Sequence, residues 1–106
     1  MAAALINVPK KAKNGDVIEI KTLMSHVMET GYRHTASGEV VSRDIITNFT
    51  CRFNGEEIFR ADLFPGTAAN PFISFFTVVT KSGKFDFEWI GDNGFSETSS
   101  ASITVE

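Results

Sequence analysis

Apolar and polar residues alternate along much of this chain with a period of two. Ile18 and Ile20, for example, alternate with Glu19 and Lys21. Because successive side chains of a strand point to opposite faces of a sheet, this pattern predicts half-buried β-strands. The same alternation recurs in residues 45–53, 57–64, 85–89 and 101–106. A sustained helical period of 3.6 residues is not found, so the pattern favours an all-β protein.

Two more apolar segments, residues 5–8 and 72–79, bring the prediction to seven strands. Turn-forming residues separate them at Asn14-Gly15, Asn54-Gly55, Pro65-Gly66, Ser82-Gly83 and Asp92-Asn93-Gly94. Seven short strands in about 100 residues are typical of an immunoglobulin-like antiparallel β-sandwich. The chain length of 106 residues fits one domain, residues 1–106.

One connection, residues 25–44, is long for a compact domain. Connections of this length are usually functional or contain short structure of their own. Residues 39–42 are a candidate for a short edge strand, and residues 23–29 for a helical turn.

The segment 72–79 is apolar on both faces. Phe72, Phe76 and Val78 share one face, whereas Ile73, Phe75 and Val79 share the other. One face of an antiparallel sheet usually meets water, so the second apolar face needs a cover. Either another segment of the chain or another protein provides it. The ten phenylalanines of the sequence favour another protein.

Composition and charge narrow the function. The 42% hydrophobic content supplies a core without disulfides, and the net charge of −3 with no long Lys/Arg cluster argues against nucleic-acid binding. No apolar run approaches the ~20 residues that span a membrane. The N-terminal Met-Ala-Ala-Ala-Leu-Ile segment lacks the basic region of a signal peptide. Taken alone, these features predict a cytoplasmic protein.

Five residues suggest a copper site, which combines two His, a Cys and a Met: Met24, His26, Met28, His34 and Cys51. Blue-copper domains usually take a His soon after the Cys, but here no His follows His34. Cys51 lies between Phe49 and Phe53 on an apolar face, where a thiol behaves as a small hydrophobic group. We therefore predict no catalytic residue, metal or cofactor. Cys51 is expected to be a buried free thiol, with a cross-link to another chain as the alternative.

Several motifs occur in a characteristic order: residues 23–31 (Leu-Met-Ser-His-Val-Met-Glu-Thr-Gly) with Arg33 and Gly38, Ile46 and Phe49, residues 53–56 (Phe-Asn-Gly-Glu), residues 69–72 (Ala-Asn-Pro-Phe), residues 83–89 with Asp92 and Gly94, and residues 103–105 (Ile-Thr-Val). In this order they resemble the SoxZ family. Val27 and Ser42 stand where that family commonly has Pro. Without these prolines, the long connection is expected to be looser and to differ in its detailed shape.

The resemblance implies an immunoglobulin-like fold and a heterodimer with SoxY, the sulfur carrier subunit of bacterial thiosulfate oxidation. The carrier cysteine belongs to the C-terminal arm of SoxY. SoxZ, which has no carrier cysteine, is not an enzyme; it stabilises SoxY and makes transient contact with other Sox enzymes. The family works in the periplasm, and SoxZ is thought to be exported with its signal-bearing partner. This implication replaces the cytoplasmic prediction.

We expect the partner interface to include Phe72, Phe75 and Phe76. The long connection, with His26, Met28, Glu29 and Arg33, is a second candidate, either at the partner interface or facing the Sox enzymes that dock. Alternatively, it merely caps one end of the sandwich. Two other function classes remain open: an immunoglobulin-like adhesion or carbohydrate-binding module, and an enzyme that uses Cys51.

Overall fold

The computed structural model describes residues 4–106, which form eight strands in two sheets. The strands are β1 (Ala4–Asn7), β2 (Lys11–Ala12), β3 (Asp16–Met24), β4 (Ile46–Phe53), β5 (Glu56–Asp62), β6 (Phe72–Val79), β7 (Gly83–Gly91) and β8 (Ser96–Val105). One sheet has the order β1-β3-β6 and the other β2-β8-β7-β4-β5. All neighbours are antiparallel except β2 and β8, which are parallel. The predicted all-β sandwich is confirmed, with the two-residue β2 as an additional strand.

The long connection differs from both expectations for its internal structure. The predicted helical turn at residues 23–29 is wrong, because β3 continues to Met24, which pairs with Ala4 of β1. Residues 39–42 do not form an edge strand; an isolated bridge joins Val40 to His34 instead. Strand β8 begins at Ser96, earlier than predicted, because its first residues are Ser, Thr and Glu and carry no apolar alternation.

The hairpin between β4 and β5 forms as the Asn-Gly pair predicts. Asn54 and Gly55 have φ values of 51° and 88°, the left-handed conformation that a tight hairpin turn requires. The Asn54 side chain also accepts a hydrogen bond from the Lys84 backbone N–H at 3.0 Å. Gly83 allows this approach, since a Cβ there would overlap the Asn54 side chain. The turn therefore also fixes the position at which β7 begins.

Aromatic rings from both sheets meet around Phe49, which is fully buried in β4. Its ring centroid lies 5.1 Å from Trp89, 6.2 Å from Phe87 and 6.4 Å from Phe75. Trp89 and Phe87 come from the inner face of β7, whereas Phe75 comes from β6 in the other sheet. Such stacked and tilted ring pairs stabilise a core beyond the apolar area they bury. This cluster joins the two sheets.

Phe75 belongs to this core, which corrects its expected place at a partner interface. It is 7% exposed, and its ring stacks on Phe59 of β5 with centroids 4.2 Å apart. Its neighbour Phe76 is 67% exposed, and Phe72 is 59% exposed. Because side chains alternate along β6, Phe75 cannot share a face with Phe72 and Phe76. Only the latter two remain available at the surface.

Residues 1–3, which form part of the N-terminal segment considered for a signal peptide, lie outside the described residues. Within residues 4–106, no helix has the length and hydrophobicity needed to span a bilayer.

Truncation of two adjacent residues of β6 should have very different effects on the stability of the fold. We expect Phe75→Ala to lower the free energy of unfolding by about 3 kcal/mol or more, because it leaves a cavity in the aromatic core. Phe76→Ala should change it by less than about 0.5 kcal/mol, because its side chain is exposed. Urea unfolding of the two variants measures this difference. Equal losses would contradict the assignment of the two faces.

Candidate functional site

An apolar row crosses the outer face of the three-stranded sheet. Leu5 of β1 pairs with Leu23 of β3, which in turn pairs with Phe72 of β6. Leu5 is 67% exposed. The Cβ atoms of directly paired residues on one face lie within about 5.5 Å of each other. The three residues therefore form a continuous apolar strip that reaches from one edge of the sheet to the other.

The same face remains apolar toward the far end of β6. Val17 of β3 pairs with Val78, and both side chains are exposed. Phe76 lies between the two apolar ends, opposite Glu19. These residues define what we call the outer apolar face: Leu5, Val17, Leu23, Phe72, Phe76 and Val78. No other segment within residues 4–106 covers it, since all of these side chains are exposed except that of Leu23, which is half-buried.

Polar groups interrupt this face in its middle. The Lys21 ammonium lies 3.7 Å from the Glu19 carboxylate, and both side chains are partly exposed. An open cleft of about 350 Å³ lies beside the apolar row, lined by Leu5, Leu23 and Phe72 together with neighbouring polar residues such as Lys21. An apolar cleft with few polar groups suits the burial of a partner's side chain. The outer apolar face is therefore the candidate functional site.

Two residues of the second interface candidate, His26 and Met28, are anchored inside this chain. The His26 ring accepts a hydrogen bond from the Met28 backbone N–H at 3.0 Å and packs edge-on against Phe95 at 4.9 Å. Met28 is 4% exposed, and its sulfur accepts a hydrogen bond from the Ile46 N–H at 3.3 Å. For these two residues the structure supports the capping alternative, because their side chains hold the connection onto the end of the sandwich.

A bidentate ion pair ties the end of the connection to the turn after β7. The Arg43 guanidinium donates to both carboxylate oxygens of Asp92 at 2.8 and 2.9 Å. One of those oxygens also accepts the Ile45 backbone N–H at 3.1 Å. These hydrogen bonds, led by that from Arg43, hold the pKa of Asp92 below its ordinary value. Asp92 is therefore a structural anchor, and the sequence alone indicated only a turn there.

The middle of the connection projects as an exposed arm. Residues 32–40 are all exposed, and backbone bonds from Thr35 to Glu39 and from Val41 to Arg33 close it into a hairpin. Arg33 lies here and donates to Glu29 at 2.7 Å, which lowers the pKa of Glu29. Glu29, which precedes the arm, and Arg33, at its start, are thus close to each other, and neither belongs to the outer apolar face.

The structure therefore brings only part of the predicted site together. Phe72 and Phe76 share the outer apolar face, whereas the side chains of Phe75, His26 and Met28 are buried elsewhere. Sequence reasoning missed Leu5 and Leu23. Their alternation was visible in the sequence, but their alignment with Phe72 depends on strand order and register.

Cys51 is fully buried between the two sheets. Burial, with a smaller contribution from the charge of Asp86, raises the pKa of its thiol to about 12. A reactive cysteine requires an accessible, electropositive setting that favours the thiolate. Cys51 has the opposite environment, in agreement with the expectation of a buried free thiol.

Within residues 4–106, no three His, Cys, Asp or Glu residues are grouped so that they would hold a metal ion.

Comparison with known proteins identifies a family for this chain. Residues 6–102 match the family described as sulphur oxidation protein SoxZ. No curated protein matches the chain in sequence.

Several solved structures share the fold of this chain. A superoxide reductase (neelaredoxin) from Ignicoccus hospitalis has a TM-score of 0.76 and 20% identity, covering 97% of this chain and 80% of that one. A putative superoxide reductase from Thermotoga maritima has a TM-score of 0.72 and 17% identity over 97% and 85% of the two chains. The sulfur carrier protein SoxY from Chlorobium limicola f thiosulfatophilum has a TM-score of 0.70 and 15% identity over 98% and 79%. At these identities, the similarity shows a common fold only.

The burial of Cys51 predicts a slow thiol. We expect the folded protein to react negligibly with a maleimide or a disulfide reagent at pH 8, because the thiolate forms only near pH 12. The same protein should react completely in denaturant, which provides the control. Rapid labelling of the native chain would show that Cys51 is accessible.

Proposed function

This chain belongs to the SoxZ family, and from this premise we propose that it is the non-catalytic subunit of a SoxYZ sulfur carrier complex. In this role it binds and stabilises SoxY, whose C-terminal arm cysteine carries sulfur intermediates between the Sox enzymes during thiosulfate oxidation. The single observation that carries the proposal is the outer apolar face, where Leu5, Phe72 and Phe76 remain exposed. Exposed apolar patches of this kind commonly mark sites where a protein, a membrane or a ligand binds.

The state of Cys51 supports a role without covalent chemistry on this chain. A carrier or catalytic thiol must meet its substrate, but Cys51 is fully buried. Its raised pKa also keeps it protonated at physiological pH. The sulfur-carrying cysteine is therefore assigned to the partner subunit, as the family implies.

The outer apolar face has the composition of an interface core. Large aromatic side chains dominate the energy of many interfaces, particularly where surrounding contacts exclude water. Phe72 and Phe76 would serve as such anchors, and Leu5 and Leu23 would extend the apolar contact across the sheet. The Glu19–Lys21 pair on the same face would favour one register of docking over others.

We further propose a role for the projecting arm. Because the arm and the outer apolar face share no residues, we assign them to different partners. The arm is therefore the candidate surface for transient contact with other Sox enzymes, and Glu29 and Arg33 lie at its base.

The proposed location is the periplasm, which this chain would reach by export with its signal-bearing partner. Cell fractionation after expression with and without SoxY tests this proposal. The chain should enter the periplasmic fraction only in the presence of SoxY, and export without SoxY would contradict it.

Truncation of the aromatic anchors should weaken the SoxY complex without unfolding this chain. We expect Phe72→Ala and Phe76→Ala each to cost about 2 kcal/mol of binding, which is roughly a 30-fold loss of affinity. Phe64→Ala is the matched control, because Phe64 is similarly exposed but follows β5 of the other sheet and is not part of the outer apolar face. Isothermal titration of each variant with SoxY from the same source provides the measurement.

The outcomes separate the function from its location on the surface. If the unchanged chain does not bind SoxY, the proposed function is wrong. If it binds and both variants bind equally well, the interface lies on another surface. A monomeric chain that binds a glycan rather than SoxY would favour the adhesion or carbohydrate-binding class.

A further inference from the structure

Strand β6 forms an edge of the three-stranded sheet, and alternate residues along it make the backbone hydrogen bonds to β3. The pairing runs without a break from Asp16–Val79 to Leu23–Phe72. Just beyond it, the Met24 N–H donates to the Pro71 carbonyl at 3.2 Å. Because hydrogen-bonded and non-bonded positions alternate along an antiparallel ladder, odd-numbered residues of β6 bond to β3. The N–H and C=O groups of the even-numbered residues point away from β3: Phe72, Ser74, Phe76 and Val78.

Those outward groups meet no other strand among the described residues, since β6 has β3 as its one neighbour. Three of the four residues also belong to the outer apolar face, as their side chains lie on the same exposed side. The free backbone edge and the apolar face are therefore adjoining parts of one surface.

The edge strand β5 of the second sheet differs from β6 in its charged residues. Strand β5 is also an edge strand, and four of its seven residues are charged: Glu56, Glu57, Arg60 and Asp62. Strand β6 has eight residues and none is charged. Proteins commonly protect exposed strand edges from pairing with other chains by placing charges or Pro there, or by shortening the strand. β5 has this protection, whereas β6 lacks it along its whole length.

We propose that a strand of the SoxY subunit pairs with the free edge of β6, so that the three-stranded sheet continues into the partner. This inference rests on the proposed function. A row of alternating N–H donors and carbonyl acceptors is matched by one kind of ligand, an extended polypeptide. The solved SoxY has the same sandwich fold as this chain and is therefore built of extended strands, the conformation that such an edge would pair with.

Strand addition would also place the aromatic anchors within the interface. Residues on an added strand lie about 4.5–5.5 Å from the β6 side chains that they face. Apolar residues on that strand would therefore pack directly against Phe72 and Phe76. The main-chain bonds would fix the register of the complex, while the apolar contacts would supply most of its affinity.

The substitution Ser74→Pro tests the backbone edge of β6 separately from the outer apolar face. The Ser74 N–H points to the free edge, so Ser74→Pro removes a donor that β3 does not use, and Pro is tolerated at such edge positions. Ser74→Ala is the matched control, because it keeps the N–H. We expect Ser74→Pro to weaken SoxY binding about tenfold relative to Ser74→Ala, through a lost hydrogen bond and the bulk of the ring. Equal affinities of the two folded variants would overturn the proposal.

Amide hydrogen exchange on the unchanged chain gives a second readout, which decides if Ser74→Pro fails to fold. In the isolated chain, amides of odd-numbered β6 residues should be protected and those of Phe72, Ser74, Phe76 and Val78 should exchange fast. In the SoxY complex, the even-numbered amides should become protected as well. A complex that forms without this protection overturns the strand pairing but leaves the proposed function intact, whereas no complex at all overturns the proposed function. Protection that rises with concentration of the isolated chain would identify a second copy as the occupant and overturn the proposal.

Discussion

The structure depends on a conflict within β6, where apolar side chains point to both faces but only one face has a sheet packed against it. Phe75 and Val79 are buried between the sheets, and Phe72 and Phe76 are left at the surface. Exposure of such large apolar groups is unfavourable by roughly 25 cal/mol per Å². A partner that covers them would recover this free energy. The same strand that holds the sandwich together therefore also provides a driving force for association.

The aromatic core makes this exposed arrangement possible. Phe49 contacts rings from β5, β6 and β7, so the two sheets are held together without a disulfide or a metal within the described residues. Cys51 lies beside this cluster as a packing residue, and its raised pKa is a consequence of that burial. A core of this kind leaves the outer sheet face free for the proposed interface.

The long connection shows how one segment divides its roles. His26 and Met28 fasten its first part to the sandwich, and the Arg43–Asp92 ion pair fastens its last part. The arm between these anchors is exposed. His26 and Met28 were interface candidates because a connection of this length is usually functional. Their partners, Phe95 and Ile46, come from distant parts of the sequence, so their burial was not predictable from local pattern.

The sequence by itself determined the β-sandwich class, most strand positions and the apolar surplus of residues 72–79, because alternation and turn chemistry are local properties of the chain. It also determined that Phe75 and Phe76 lie on opposite faces, since neighbours in a strand always do. Only the tertiary structure decided which of those faces is buried, through the stacking of Phe75 on Phe59. It also aligned Leu5 and Leu23 with Phe72, because strand order and register join residues that are far apart in sequence.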